Sequence, residues 1–85
     1  MSKREWKLYA EDILESLDLI SQYIGVMDFD DFKEDRKTID AVARNLEIIG
    51  EASKFIPDYI KRKYSDVDWA GMVGLRNRIT HDYFT

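Results

Sequence analysis

Between Trp6 and Ile24, the apolar residues Trp6, Tyr9, Ile13, Leu17, Ile20 and Ile24 recur at spacings of 3, 4, 4, 3 and 4. That is the period of an α-helix with one buried stripe, and no strand can bury side chains spaced this way. Ser2-Lys3-Arg4-Glu5 fits a capping box ahead of this helix, and Gly25 is placed to stop it in a left-handed conformation. Glu11, Asp12, Glu15 and Asp18 lie largely off the stripe and read as a solvated face. Ile39, Val42, Leu46, Ile49 and Ser53 repeat at 3, 4, 3 and 4, which predicts a second long helix from about Phe32 to Phe55. The expected fold is therefore all-α: an antiparallel helical bundle of two long helices plus shorter C-terminal ones, forming one domain over residues 1–85.

The remaining segments are punctuation around those helices. Residues 25–32 read as a connection; Asp28, Asp30 and Asp31 lack the glycine and distal glutamate of a calcium loop, and are expected to cap the next helix. Gly50, flanked by Ala43 and Ala52, marks a tight crossing by another helix. Glu51 beside it reads as a partly exposed charge or the partner of an arginine. Pro57 ends the second helix or starts a short one to Tyr64 carrying Lys61, Arg62 and Lys63. That basic triplet reads first as a solvated face and second as a candidate nucleic-acid contact. Asp66 or Asp68 then caps a final helix through Trp69, Met72, Val73, Leu75 and Ile79. Its glycines, Gly71 and Gly74, point to close approach by another backbone, of this chain or of a partner.

Composition narrows the chemistry. With no cysteine and a single histidine, His81, the chain has no disulfide, no thiol nucleophile and no multi-His metal site, so neither a metal nor a cofactor is expected. A domain of 85 residues buries only about 60–65 % of its unfolded surface, so association into a homodimer is expected. No apolar run approaches the roughly 20 residues of a membrane span, and the opening residues do not read as a signal peptide; a cytoplasmic protein is expected. Residues 1–35 hold four Lys/Arg against ten Asp/Glu, and residues 36–85 hold nine against seven. Nucleic-acid contact must then be local, on the C-terminal half.

The reactive residues gather in Arg76-Asn77-Arg78-Ile79-Thr80-His81-Asp82-Tyr83. Histidine takes and gives protons near neutral pH, and arginine presents a planar fork of donors suited to phosphate oxygens. These are the parts for phosphodiester cleavage without a metal: a base for the ribose 2′ proton and a cation for the charge developing at phosphorus. On an ideal helix, however, Arg76 and His81 sit about 140° apart, whereas Asn77 and His81 share a face. The pair converges only if the helix ends or distorts near Thr80, or across a symmetric dimer that supplies two copies of the histidine.

The string from Leu46-Glu47-Ile48-Ile49-Gly50-Glu51-Ala52 through Asp68-Trp69 to the Arg-x4-His-x-Tyr of Arg76, His81 and Tyr83 resembles the HEPN superfamily. Within that superfamily it looks like the HepT-like toxins of prokaryotic HepT/MntA-type toxin–antitoxin pairs, and the resemblance covers essentially the whole chain. It implies a dimeric helical bundle with a metal-independent RNase site at the dimer cleft, in a type VII-like system. Arg76 and His81 would be the catalytic pair, Asn77 the polar residue beside the arginine, and Arg78 a phosphate-positioning residue. Tyr83 would be the tyrosine that a nucleotidyltransferase antitoxin modifies with AMP; its bland role is a packed aromatic with a satisfied hydroxyl. His81 has a bland role too, as the cap of a helix C-terminus. Relatives continue past the tyrosine into a further helix, so the chain ending at Thr85 implies a bundle without that helix and with apolar surface left open. The alternative from another class is a non-catalytic module of this fold that binds a nucleotide or a nucleotidyltransferase partner. A third is a helical assembly subunit whose C-terminal string is purely structural.

Overall fold

A computed structural model describes residues 4–84. The chain forms α1 (Trp6–Ile24), α2 (Phe29–Glu34), α3 (Arg36–Ser53), α4 (Asp58–Lys63) and α5 (Trp69–Arg78), followed by a π-helical turn (Ile79–Tyr83). No strand occurs among the described residues, and the all-α bundle read from the apolar spacing is the fold found. The second long helix is shorter than expected at its start. Asp35 breaks it by accepting the Thr38 backbone N–H at 3.1 Å, which makes Asp35 the N-cap of α3 and leaves α2 as a separate short helix. Asp28 caps α2 in the same way, with Asp30 and Asp31 in its first turn, as the connection predicted.

α3 is the centre of the bundle, with α1 antiparallel on one side and α5 antiparallel on the other. Tyr9 stacks on Phe55 at one end of the α1–α3 pair, and Tyr23 lies beside Thr38 at the other. The core is small: Ala43, Ile49, Ala52, Ile56 and Ile79 are its buried apolar residues among those described. Ser16 and Asn45 are buried with them, and so is Ser53, whose hydroxyl donates to the Ile49 carbonyl at 2.6 Å. Asn45 likewise donates to the carbonyl of Ala41, so Ser53 and Asn45 are satisfied along α3 itself.

Four details depart from the sequence reading. The line of contact on α1 runs through Ser16, and Leu17 is 51 % exposed rather than buried. A single neighbouring helix covers a stripe narrower than the apolar surface of α1, so the small serine takes the close-contact position and Leu14 and Leu17 fall outside it. At the helix start, Glu5 occupies the N-cap position and makes no side-chain cap bond; the Ser2 half of the expected capping box lies outside the described residues. Gly71 makes room for its own N-cap, the Asp68 carboxylate, which accepts the Gly71 N–H at 2.9 Å. Gly74 faces open space, with no backbone of the described residues approaching it.

Two glycine expectations hold. Gly25 ends α1 at φ +53°, in the region that favours glycine. At Gly50 a methyl group would collide with the Arg76 side chain and lie 2.6 Å from the Met72 carbonyl oxygen, so the missing side chain is what lets α5 cross α3. Between α1 and the α4 region lies a groove of about 480 Å³ lined by apolar side chains, Trp6, Ile13, Ile56, Ile60 and Trp69 among them.

Candidate functional site

The crossing at Gly50 sets the register of everything that follows. Because α5 runs antiparallel to α3, Arg76 lands beside Glu51, Thr80 beside Glu47 and Tyr83 beside Asp40. The Arg76 Nε sits 3.2 Å from Glu51 Oε2, and its Nη1 donates to Asn77 Oδ1 at 3.0 Å. Its side chain is 29 % exposed, which leaves part of the guanidinium open to solvent while its direction is held from two sides. The Lys54 Nζ lies 3.4 Å from the same Glu51 oxygen. One carboxylate thus serves two cations, and the local charge is positive.

After Arg78 the helix widens. The Phe84 N–H donates to the Ile79 carbonyl at 3.2 Å, closing the i→i+5 ring of a π turn. Each residue of such a turn advances through a smaller angle than in an α-helix, so positions five apart move toward one face. The helix thus distorts near Thr80, one of the two arrangements under which Arg76 and His81 could meet. The inner side of the turn is pinned to α3 at three points. Ile79 is buried in the core, Thr80 donates to Glu47 Oε2 at 2.6 Å, and the Tyr83 hydroxyl donates to Asp40 Oδ1. Glu47 is held in turn by Arg44 at 2.7 Å, and Asp40 by Arg36 at 3.4 Å. The outer side of the turn presents His81 and Asp82 to solvent.

Aromatic contacts close the end of this seam. Phe84 meets Tyr83 edge to face at 4.8 Å, Arg44 lies over the Phe84 ring at 4.6 Å, and Arg36 lies 5.4 Å from the centre of the Tyr83 ring. The Tyr83 phenol is pushed above its ordinary value, first by its hydrogen bond to the Asp40 carboxylate and then by burial, with Arg36 opposing. Tyr83 is therefore a protonated donor throughout the neutral range.

The other sequence candidates are placed less centrally. Arg78 projects from the last turn of α5 and pairs with Asp82 at 3.6 Å, its side chain 81 % exposed. Lys61, Arg62 and Lys63 form the last turn of α4, where they complement the negative end of that helix. α4 follows the C-terminal end of α3, whereas the chain from Arg76 to Tyr83 runs back toward the α3 N-terminus, so the triplet is not gathered with the Arg76–His81 segment. Sequence reasoning gave Glu51 an arginine partner and found one, but it overlooked Asp40 and gave Glu47 no role. Their signal was available: Asp40, Glu47 and Glu51 are spaced 7 and 4 apart, an acidic line along one side of a helix.

Comparison with known proteins supplies the context for this seam. The HepT-like family, described as Ribonuclease HepT-like, matches residues 13–85. A protein of Thermococcus cleftensis named "Probable ribonuclease HepT" is 46 % identical over 82 residues, covering 96 % of this chain and 74 % of that protein. A "Putative RNase" of Methanocaldococcus jannaschii is 43 % identical over 84 residues, covering 99 % of this chain and 69 % of that protein. No solved structure gives a significant match.

Proposed function

The chain belongs to the HepT-like ribonuclease family, and from that premise we propose that it is a metal-independent endoribonuclease acting as the toxin of a toxin–antitoxin pair. The observation that carries this reading is the placement of Arg76, held by Glu51 and Asn77, at the entry to a π turn whose outer side presents His81. Arg76 binds the scissile phosphate through its open guanidinium face, and Asn77 fixes its direction. His81 removes the ribose 2′ proton, and the 2′ oxygen attacks phosphorus. The bond from phosphorus to the 5′ oxygen then breaks, and a proton is delivered to the leaving oxygen. Negative charge builds on the non-bridging oxygens during attack, where Arg76 stabilises it. In a homodimer, the partner's copy of the only histidine provides the acid, so one imidazole need not act twice in a single turnover. Arg78, exposed on the same segment, positions a flanking phosphate.

Tyr83 is the control point in this reading. A nucleotidyltransferase antitoxin that placed AMP on its hydroxyl would replace the donor to Asp40 with a bulky anion beside that carboxylate. The contact pinning the end of the π turn would then be lost. A site of action in the cytoplasm follows from an RNA substrate. Among the described residues, no helix is long and apolar enough to cross a membrane.

Incubation with RNA in excess EDTA, with the fragment ends mapped, tests the activity. Fragments ending in 2′,3′-cyclic phosphate are expected. Cleavage that stops with the chelator would overturn metal independence. Absence of cleavage under all conditions would make the chain a non-catalytic module of the same fold.

A further inference from the structure

Beyond the Arg76–His81 segment, one surface feature has the chemistry of a second contact with the substrate. Tyr9 of α1 and Phe55, in the turn after α3, stack nearly parallel, with centroids 4.6 Å apart and planes 17° from each other. Arg4 lies over the Tyr9 ring at 4.5 Å and is tied to Asp12 at 2.9 Å. The turn sends Ile56 inward, to 4 % exposure, and leaves Phe55 outward at 50 %. Phe55 is nonetheless fixed, because its N–H donates to the Ala52 carbonyl at 3.0 Å and the ring is backed by Tyr9. An aromatic plate that is rigid, half-exposed and flanked by cations is the composition of a base-stacking platform.

The platform is continuous with the proposed active site. Lys54, the residue before Phe55, reaches the same Glu51 oxygen as Arg76 does. A shallow cleft of about 190 Å³, lined by Arg4, Tyr9, Asp12, Ile48, Glu51 and Ala52, runs between the stack and Glu51. A strand with its phosphate at Arg76 would therefore pass Lys54 before reaching Phe55.

We propose that Phe55, backed by Tyr9, stacks a base of the RNA substrate adjacent to the phosphate bound at Arg76, with Lys54 contacting the intervening backbone. This rests on the ribonuclease reading above. Stacking accepts any base, so the platform contributes affinity and register rather than sequence choice.

The test uses the non-cleaving His81→Ala protein with and without Phe55→Trp, titrated with homopolymeric RNA oligonucleotides. Quenching of the added tryptophan on binding is expected, beyond any change in the His81→Ala protein alone. Phe55→Leu should weaken binding about tenfold and raise KM for cleavage, with the salt dependence of binding unchanged because no charge is removed. Lys54→Ala should instead lower the salt slope by about one. Equal affinity for Phe55→Leu and wild type, or no added quenching, overturns the proposal. A fall in oligomeric mass by light scattering on Phe55→Leu overturns it too, since the ring would then belong to an interface between copies. If His81→Ala cleaves RNA as well as wild type does, the active-site assignment fails while the fluorescence result still decides the role of Phe55.

Discussion

The two faces of α3 are built on different principles. Toward α1, Ser16 and Leu19 lie beside Ile48 and Tyr9 beside Ala52, and much of α1 is left uncovered, with Leu14 66 % exposed. Toward α5 and the π turn, the contact is a polar seam: Glu51 with Arg76, Glu47 with Thr80, and Asp40 with Tyr83. Apolar packing is non-directional and tolerates a local departure from the expected stripe, as at Leu17 and Ser16 of α1. Hydrogen bonds to carboxylates are directional; here they fix where the Arg76 guanidinium points and hold the turn that carries His81. Both faces contribute to stability, and the α5 face adds position.

Four changes would break or sharpen that contrast, from the largest effect to the smallest. Gly50→Val forces a side chain into the Arg76 and Met72 contacts and should destabilise the fold by about 3 kcal/mol, read by chemical denaturation. A neutral result would mean that the helices do not cross closely there. Thr80→Val removes the donor to a Glu47 carboxylate that is only 13 % exposed, and should cost about 1–2 kcal/mol. RNA cleavage should fall further than stability does, because the π turn loses a pin beside His81. Equal falls in both would make the seam merely structural.

Asp35 gives the contrast a pH dependence. Its bonds from Thr38 hold the carboxyl below its ordinary value, so the folded state binds the proton less readily than the unfolded chain. The stabilisation is present above the unfolded value of about 3.8 and is lost as pH falls through the lower folded value. Melting temperature should therefore drop in acid, and Asp35→Asn should flatten that drop; an unchanged acid limb would contradict the cap. Last, Leu17→Ser should change the stability of isolated protomers by no more than about 0.5 kcal/mol, because the side chain is already half in water. A large loss would show that the α1 outer face is covered in the assembled protein.

The same division explains what the sequence revealed. Apolar spacing of 3 and 4 located α1 and α3, Gly25 marked a stop and Gly50 a crossing, because each follows from local geometry. Which of Ser16 and Leu17 is buried depends on which neighbour α1 meets, and a single stripe carries no such information. The break at Asp35 was hidden because the acidic residues before it all have good capping chemistry. The π turn was legible only as one of the ways in which Arg76 and His81 could meet, because Glu47 and Asp40, which pin it, lie 33 and 43 residues from their partners. Gly74 is the reverse case, a glycine whose missing side chain would meet nothing among the described residues.

The account rests on Arg76 and His81 as the pair that cleaves RNA. RNA cleavage by His81→Ala, alongside wild type and Arg76→Ala, is the direct test, with circular dichroism to check that each protein is folded. Both variants should lose at least about 100-fold in cleavage, and His81→Ala should keep its helical signal and melting temperature because the side chain is exposed. Undiminished cleavage by folded His81→Ala would contradict the account.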